Sequence, residues 1–75
     1  MADATLDARG LKCPLPILKA RKALNDVAPN GQLVVLTTDP GSVADFEAFC
    51  RATGHELIER TSGAGEHRFV IRRSP

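Results

Sequence analysis

Pro14 and Pro16, flanking Leu15 and directly following Cys13, constrain this chain more than any other feature. Each ring fixes φ near the helical value and removes an amide hydrogen, so a pair spaced this way suits the first turn of a helix, whose N–H groups have no intrahelical acceptor. The residues that follow fit that start. Ile17, Ala20, Leu24 and Val27 recur at intervals of three, four and three, the period of one helical face, with Lys19, Lys22 and Asn25 mostly elsewhere. We predict a helix from Pro14 to about Val27, stopped by Pro29-Asn30-Gly31. Cys13 is then its N-cap, at the positive end of the macrodipole and beside unpartnered amides, where a thiolate is favoured. Lowering a free-thiol pKa of about 8.5 by one raises the thiolate fraction near neutral pH several-fold.

The rest of the chain divides at its turn residues. Thr5-Leu6-Asp7-Ala8 alternates and ends in Arg9-Gly10, a short strand and a turn. Gln32 to Thr38, with Leu33, Val34, Val35 and Leu36 in succession, is too short and too β-branched for a helix and reads as a central strand. After Asp39-Pro40-Gly41, Ser42-Val43-Ala44-Asp45 resembles a capping box with aspartate in place of glutamate. Val43, Phe46 and Cys50 then share a helical face, and Gly54 suits the residue past its end. His55–Arg60 and His67–Arg73 read as strands of an antiparallel hairpin joined by the flexible loop Thr61–Gly65. The order βαβαββ predicts an α+β two-layer sandwich, with two helices packed on one face of a four-stranded mixed sheet. Helix crossovers favour parallel pairing of the first strands, and Cys13 falls at a strand's carboxyl end, where open α/β folds tend to place chemistry.

Composition bounds the function. Residues 1–75 form one small domain, near the lower size limit for a core without staples. A net charge of +1 gives no general attraction for nucleic acid or an acidic membrane, and three Phe with no Trp or Tyr support base stacking poorly. No apolar run spans a membrane, and Met1-Ala2-Asp3 lacks the order of a secretory signal, so a cytoplasmic, monomeric protein is expected. Two cysteines so far apart suggest neither a disulfide framework nor a zinc site, and no nucleotide loop or catalytic triad is visible. No cofactor or metal is expected.

That leaves the thiol. A small buried hydrophobe in a turn would not require the two prolines or the cations Arg9 and Lys12, which could steady an anion on Cys13. Cys50, on the apolar stripe, reads as core. His55 and His67 stand at strand starts with no partner at dyad or ligand spacing, and Asp39 most simply begins a turn. Arg68, Arg72 and Arg73 read as a solvated edge. A reactive cysteine with no resolving partner in the chain suits a carrier better than an enzyme completing turnover alone. The competing reading is a regulatory or protein-docking module whose cysteine is structural or redox-sensitive.

Leu6-Asp7-Ala8-Arg9-Gly10-Leu11-Lys12-Cys13-Pro14-Leu15-Pro16, Thr38-Asp39-Pro40 and Phe49-Cys50 through Gly54-His55-Glu56-Leu57 together resemble the TusA family of small sulfur carriers, also called SirA-like. The resemblance runs over nearly the whole chain. It implies the same βαβαββ sandwich, with Cys13 carrying sulfur as a persulfide. A cysteine desulfurase or rhodanese-like donor would load it, and an acceptor protein in tRNA thiolation, molybdenum-cofactor assembly or sulfur oxidation would unload it. It also maps Arg21 and Asp39 onto partner contacts. Two positions depart from the tRNA-thiolation pattern: Leu15 stands where some members carry glutamate, and Thr38 replaces the first acid of an Asp-Asp-Pro stretch.

Overall fold

Val34, with Leu33 and Val35 on either side, is buried with both neighbours, as a strand covered on both faces requires. The structure, a computed structural model, describes residues 4–74. In chain order the elements are β1 (Ala4–Ala8), α1 (Leu15–Asn25), β2 (Gln32–Thr37), α2 (Ser42–Thr53), β3 (Glu56–Gly63) and β4 (Glu66–Arg72). The four strands form one sheet in the order β1-β2-β4-β3, with β1 and β2 parallel and the other two pairings antiparallel. This is the mixed βαβαββ sandwich that the sequence predicts. The reading of residues 1–3 as lacking a leader lies outside the described residues.

Both helices cover the same face. Ala20 and Leu24 of α1 and Phe46 and Cys50 of α2 pack with Leu33 and Val35 of β2 and Phe69 and Ile71 of β4 in one apolar cluster. The Phe46 and Phe69 rings stack with centroids 4.7 Å apart, an offset contact that fixes α2 over β4. On the opposite face Val34 and Val70 are register partners, with Arg68 and Arg72 two residues to either side of Val70. Those arginines pair with Glu59 and Glu56, and their long stems shield the valines from water.

Several boundaries differ from expectation for physical reasons. The hairpin turn is only Ala64-Gly65, both at positive φ (53° and 78°), as a two-residue loop of matching twist requires. β3 therefore runs through Thr61 and Ser62 to Gly63, which pairs with Glu66, and the predicted five-residue loop is mostly strand. Arg68 and Arg72 lie on an inner strand, not an edge, and Arg73 donates to the carbonyl of Val27. The first helix ends at Asn25, although Val27 is buried as expected, its N–H donating to Leu24 O in a tighter last turn. No helix among the described residues is long and apolar enough to cross a membrane.

Candidate functional site

β1 and β2 run parallel with Ala8 opposite Thr37, so the chain leaves both strands at the same end of the sheet. The two exit loops are bonded together. Gly10 N–H donates to Thr38 Oγ1 at 2.9 Å, and Cys13 N–H donates to Asp39 Oδ2 at 3.1 Å. The first of these loops turns sharply: Leu11 N–H returns to Ala8 O, and Gly10 takes φ 84°, a conformation costly for any residue with a Cβ. Asp39 thus starts its own turn, with Ser42 N–H donating to its carbonyl, and also holds the backbone of Cys13. The reading of Asp39 as a simple turn former gives way to this double role.

Cys13 is exposed, and its peptide bond to Pro14 is cis. It lies one residue farther from the helix than expected: Pro14 is the N-cap, Leu15 the first helical residue, and Pro16 is buried in the opening turn. Lys12 O accepts the N–H of Leu15, and Pro14 O that of Leu18. Leu15 and Leu18, one turn apart, are exposed to 45% and 50%, an apolar patch on the same end of α1 as the thiol. Arg21 is exposed one turn further along.

The predicted capping box does not form. Gly41 is the N-cap of α2, without a side-chain cap bond, and Ser42 is already helical, its Oγ buried without a partner. Asp45 is therefore free to face the cysteine. A Cβ built on Gly41 would lie 3.6 Å from Asp39 Oδ2 and 3.8 Å from Asp45 Oδ2, so the two carboxylates flank this glycine. Bonding to Asp45, some loss of hydration and the charges of Asp45 and Asp39 raise the pKa of the Cys13 thiol above its ordinary value. This reverses the expected depression. A helix dipole is a fractional charge that fades within a turn, whereas a carboxylate in hydrogen-bond contact is a whole like charge at close range.

The expected cationic support is absent from this arrangement. Arg9 grips Asp7 through two bonds of 2.9 Å and reaches Glu66 at 3.6 Å; it raises no claim on the sulfur. Lys12 is exposed beside Cys13 in the chain, but the charges that bear on the thiol are the two acids. Neither histidine comes to the site: His55 Nδ1 accepts the N–H of Ser74, and His67 Nδ1 bonds Ser62 Oγ at 2.7 Å. A hollow of about 340 Å³ lies near that second pair, lined by Leu36, Ser62, His67 and Arg68 among others, and Cys13 does not line it. Cys50 is 6% exposed, and burial pushes its thiol up to about 11. Among the described residues no group of His, Cys, Asp and Glu is placed to hold a metal ion.

Asp45 is the residue that sequence reasoning missed. Its available signal was topological: two parallel strands joined by a helix send their exits to one edge, so residues opening α2 meet those preceding α1.

Comparison with known proteins places this geometry in context. The family described as "Sulfurtransferase TusA" matches residues 4–73. The sulfur carrier protein TusA of Allochromatium vinosum is 51% identical over 72 residues, covering 96% of this chain and 95% of that protein. The TusA of Pseudomonas aeruginosa is 44% identical over 71 residues, covering 95% and 90%. The crystal structure of a SirA-like protein from Desulfitobacterium hafniense superposes with a TM-score of 0.81 at 26% identity, covering 96% of this chain and 99% of that one.

Proposed function

Because this chain belongs to the TusA family of sulfur carrier proteins, we propose that it carries sulfur as a persulfide on Cys13, taken from a donor protein and passed to an acceptor protein. The observation that carries this reading is the exposed thiol at the junction of two bonded loops, with exposed Leu15 and Leu18 beside it. An exposed sulfur suits exchange with another protein's sulfur, and an apolar neighbourhood gives that protein something to cover.

In loading, the Cys13 sulfur attacks the outer sulfur of the donor's persulfide, and the donor's S–S bond breaks. The donor's inner sulfur leaves as a thiolate. In unloading, an acceptor thiolate attacks the outer sulfur of Cys13–S–SH, and Cys13 is the leaving group. Sulfane sulfur changes hands with no net oxidation. The donor is a cysteine desulfurase or rhodanese-like protein, and docking supplies orientation. Arg21 and Asp39 serve as contacts at this rim, Asp39 also by fixing the Cys13 backbone.

Intact-mass measurement after incubation with a cysteine desulfurase and cysteine tests this. The protein gains the mass of one sulfur, Cys13→Ser gains none, and Cys50→Ser still gains it. Equal loading of the two variants would overturn the assignment.

A further inference from the structure

The thiol of Cys13 does not stand free at the rim. The Cys13 amide is held by Asp39, the carboxylates of Asp39 and Asp45 flank Gly41, and Asp45 is the group that most raises the thiol pKa. Asp39 belongs to the loop after β2, Asp45 to the first turns of α2, and Lys12 is the charged neighbour in the chain. Both acids are positioned by backbone bonds that do not involve the sulfur: Ser42 N–H donates to Asp39 O, and Asp45 N–H to Gly41 O.

We propose that Asp45 is a specificity-determining residue for Cys13: its carboxylate, set with that of Asp39 around Gly41 beside the cysteine, keeps the sulfur slow towards small free persulfides and reserves it for a donor protein that brings a lysine or arginine to the two acids. This rests on the sulfur-carrier reading above. The chemistry requires an anion at sulfur, because the thiolate is the nucleophile in sulfur exchange. A small persulfide meets a neutral thiol hydrogen-bonded to a carboxylate. A docked cation offsets one of the two negative charges and favours the Cys13 anion where the donor's sulfur already sits, on the end of α1 that carries the exposed Leu15 and Leu18. The proton lost by Cys13 is matched by the one the donor's leaving thiolate takes up, so Cys13–SH and R–S–SH give Cys13–S–SH and R–SH.

The test compares the full chain with Asp45→Asn, which keeps the shape and removes the charge, and Asp45→Glu, which keeps the charge. Iodoacetamide alkylation of Cys13 is followed from pH 5 to 10, and sulfur loading is followed with glutathione persulfide and, separately, with a cysteine desulfurase and cysteine. Removing a like charge in contact with the thiol raises the thiolate fraction roughly tenfold. Asp45→Asn is therefore expected to alkylate about tenfold faster at pH 7, with its pH midpoint lower, and to lose about tenfold of the preference for desulfurase over glutathione persulfide. Asp45→Glu retains the native profile. An Asp45→Asn profile that superimposes on the native one, or an unchanged donor preference, overturns the proposal. A native protein that takes sulfur from neither donor removes the carrier reading instead, and the alkylation profile then decides the role of Asp45 alone.

Discussion

Cys13 and Cys50 differ in what keeps their thiols from ionising. At Cys13 it is charge: the sulfur is exposed, but the carboxylates of Asp45 and Asp39 bear on it. At Cys50 it is burial, among Leu24, Phe46 and Phe69 in the cluster between helices and sheet. A visiting partner can reverse the first, because a cation laid on an acid cancels it. Only opening the core reverses the second. Two residues of one kind in a chain of 75 thus have opposite availability, one for exchange with partners and one for packing.

The comparison is broken most directly by exchanging the outcomes of mutation. Cys13→Ser is expected to abolish sulfur loading and leave the urea midpoint near native, whereas Cys50→Ser keeps loading and loses stability, since a hydroxyl buried without a partner costs about 1–3 kcal/mol. Phe46→Ala, which removes a fully buried ring from the cluster that holds Cys50 and its stacking on Phe69, is expected to cost about 3–5 kcal/mol in denaturant melts. The Cys50 region also predicts an alkaline limit. Its folded pKa of about 11 stands above the ordinary value of a thiol, about 9, so the unfolded chain loses this proton first and stability falls as pH rises from about 9. By pH 11 the loss reaches about 2 kcal/mol and is absent in Cys50→Ala.

Smaller effects sharpen the Cys13 side. Asp39→Ala removes the acceptor of the Cys13 amide and is expected to cost about 1 kcal/mol while lowering the pH midpoint of Cys13 alkylation. The smallest effect comes from the Arg9 pairing that does not reach the sulfur. Asp7 is held down to about 2 by Arg9, so its contribution is complete above the ordinary carboxylate value of 3.8 and disappears as pH falls through about 2. The pair is exposed, so Asp7→Asn should shift the urea midpoint only slightly at pH 7 and still less at pH 2.

Most of the frame was readable from local pattern. Ile17, Ala20 and Leu24 announced α1, Leu33 through Leu36 announced β2, and Gly54, at φ 82°, closed α2 as expected. The hairpin is longer than its sequence suggests because Thr61 and Ser62 are equally at home in a loop or a strand, and the tight turn rests on the positive φ of Ala64, unusual without glycine. The antiparallel pairing of β2 with β4, which makes Arg68 and Arg72 inner-strand residues, had no local marker.

The sequence by itself determined where helices and strands form, that a cysteine precedes a proline-opened helix, and that the other cysteine belongs to an apolar face. These follow from dihedral limits and side-chain period, which act between near neighbours. Only the tertiary structure decided which charges reach the Cys13 sulfur. Arg9 and Lys12 are close in the chain, yet Arg9 turns to Asp7 and Glu66, while Asp39 and Asp45 arrive from the next strand exit and helix. Electrostatic influence depends on distance through space, and that distance was fixed by the parallel pairing of β1 with β2.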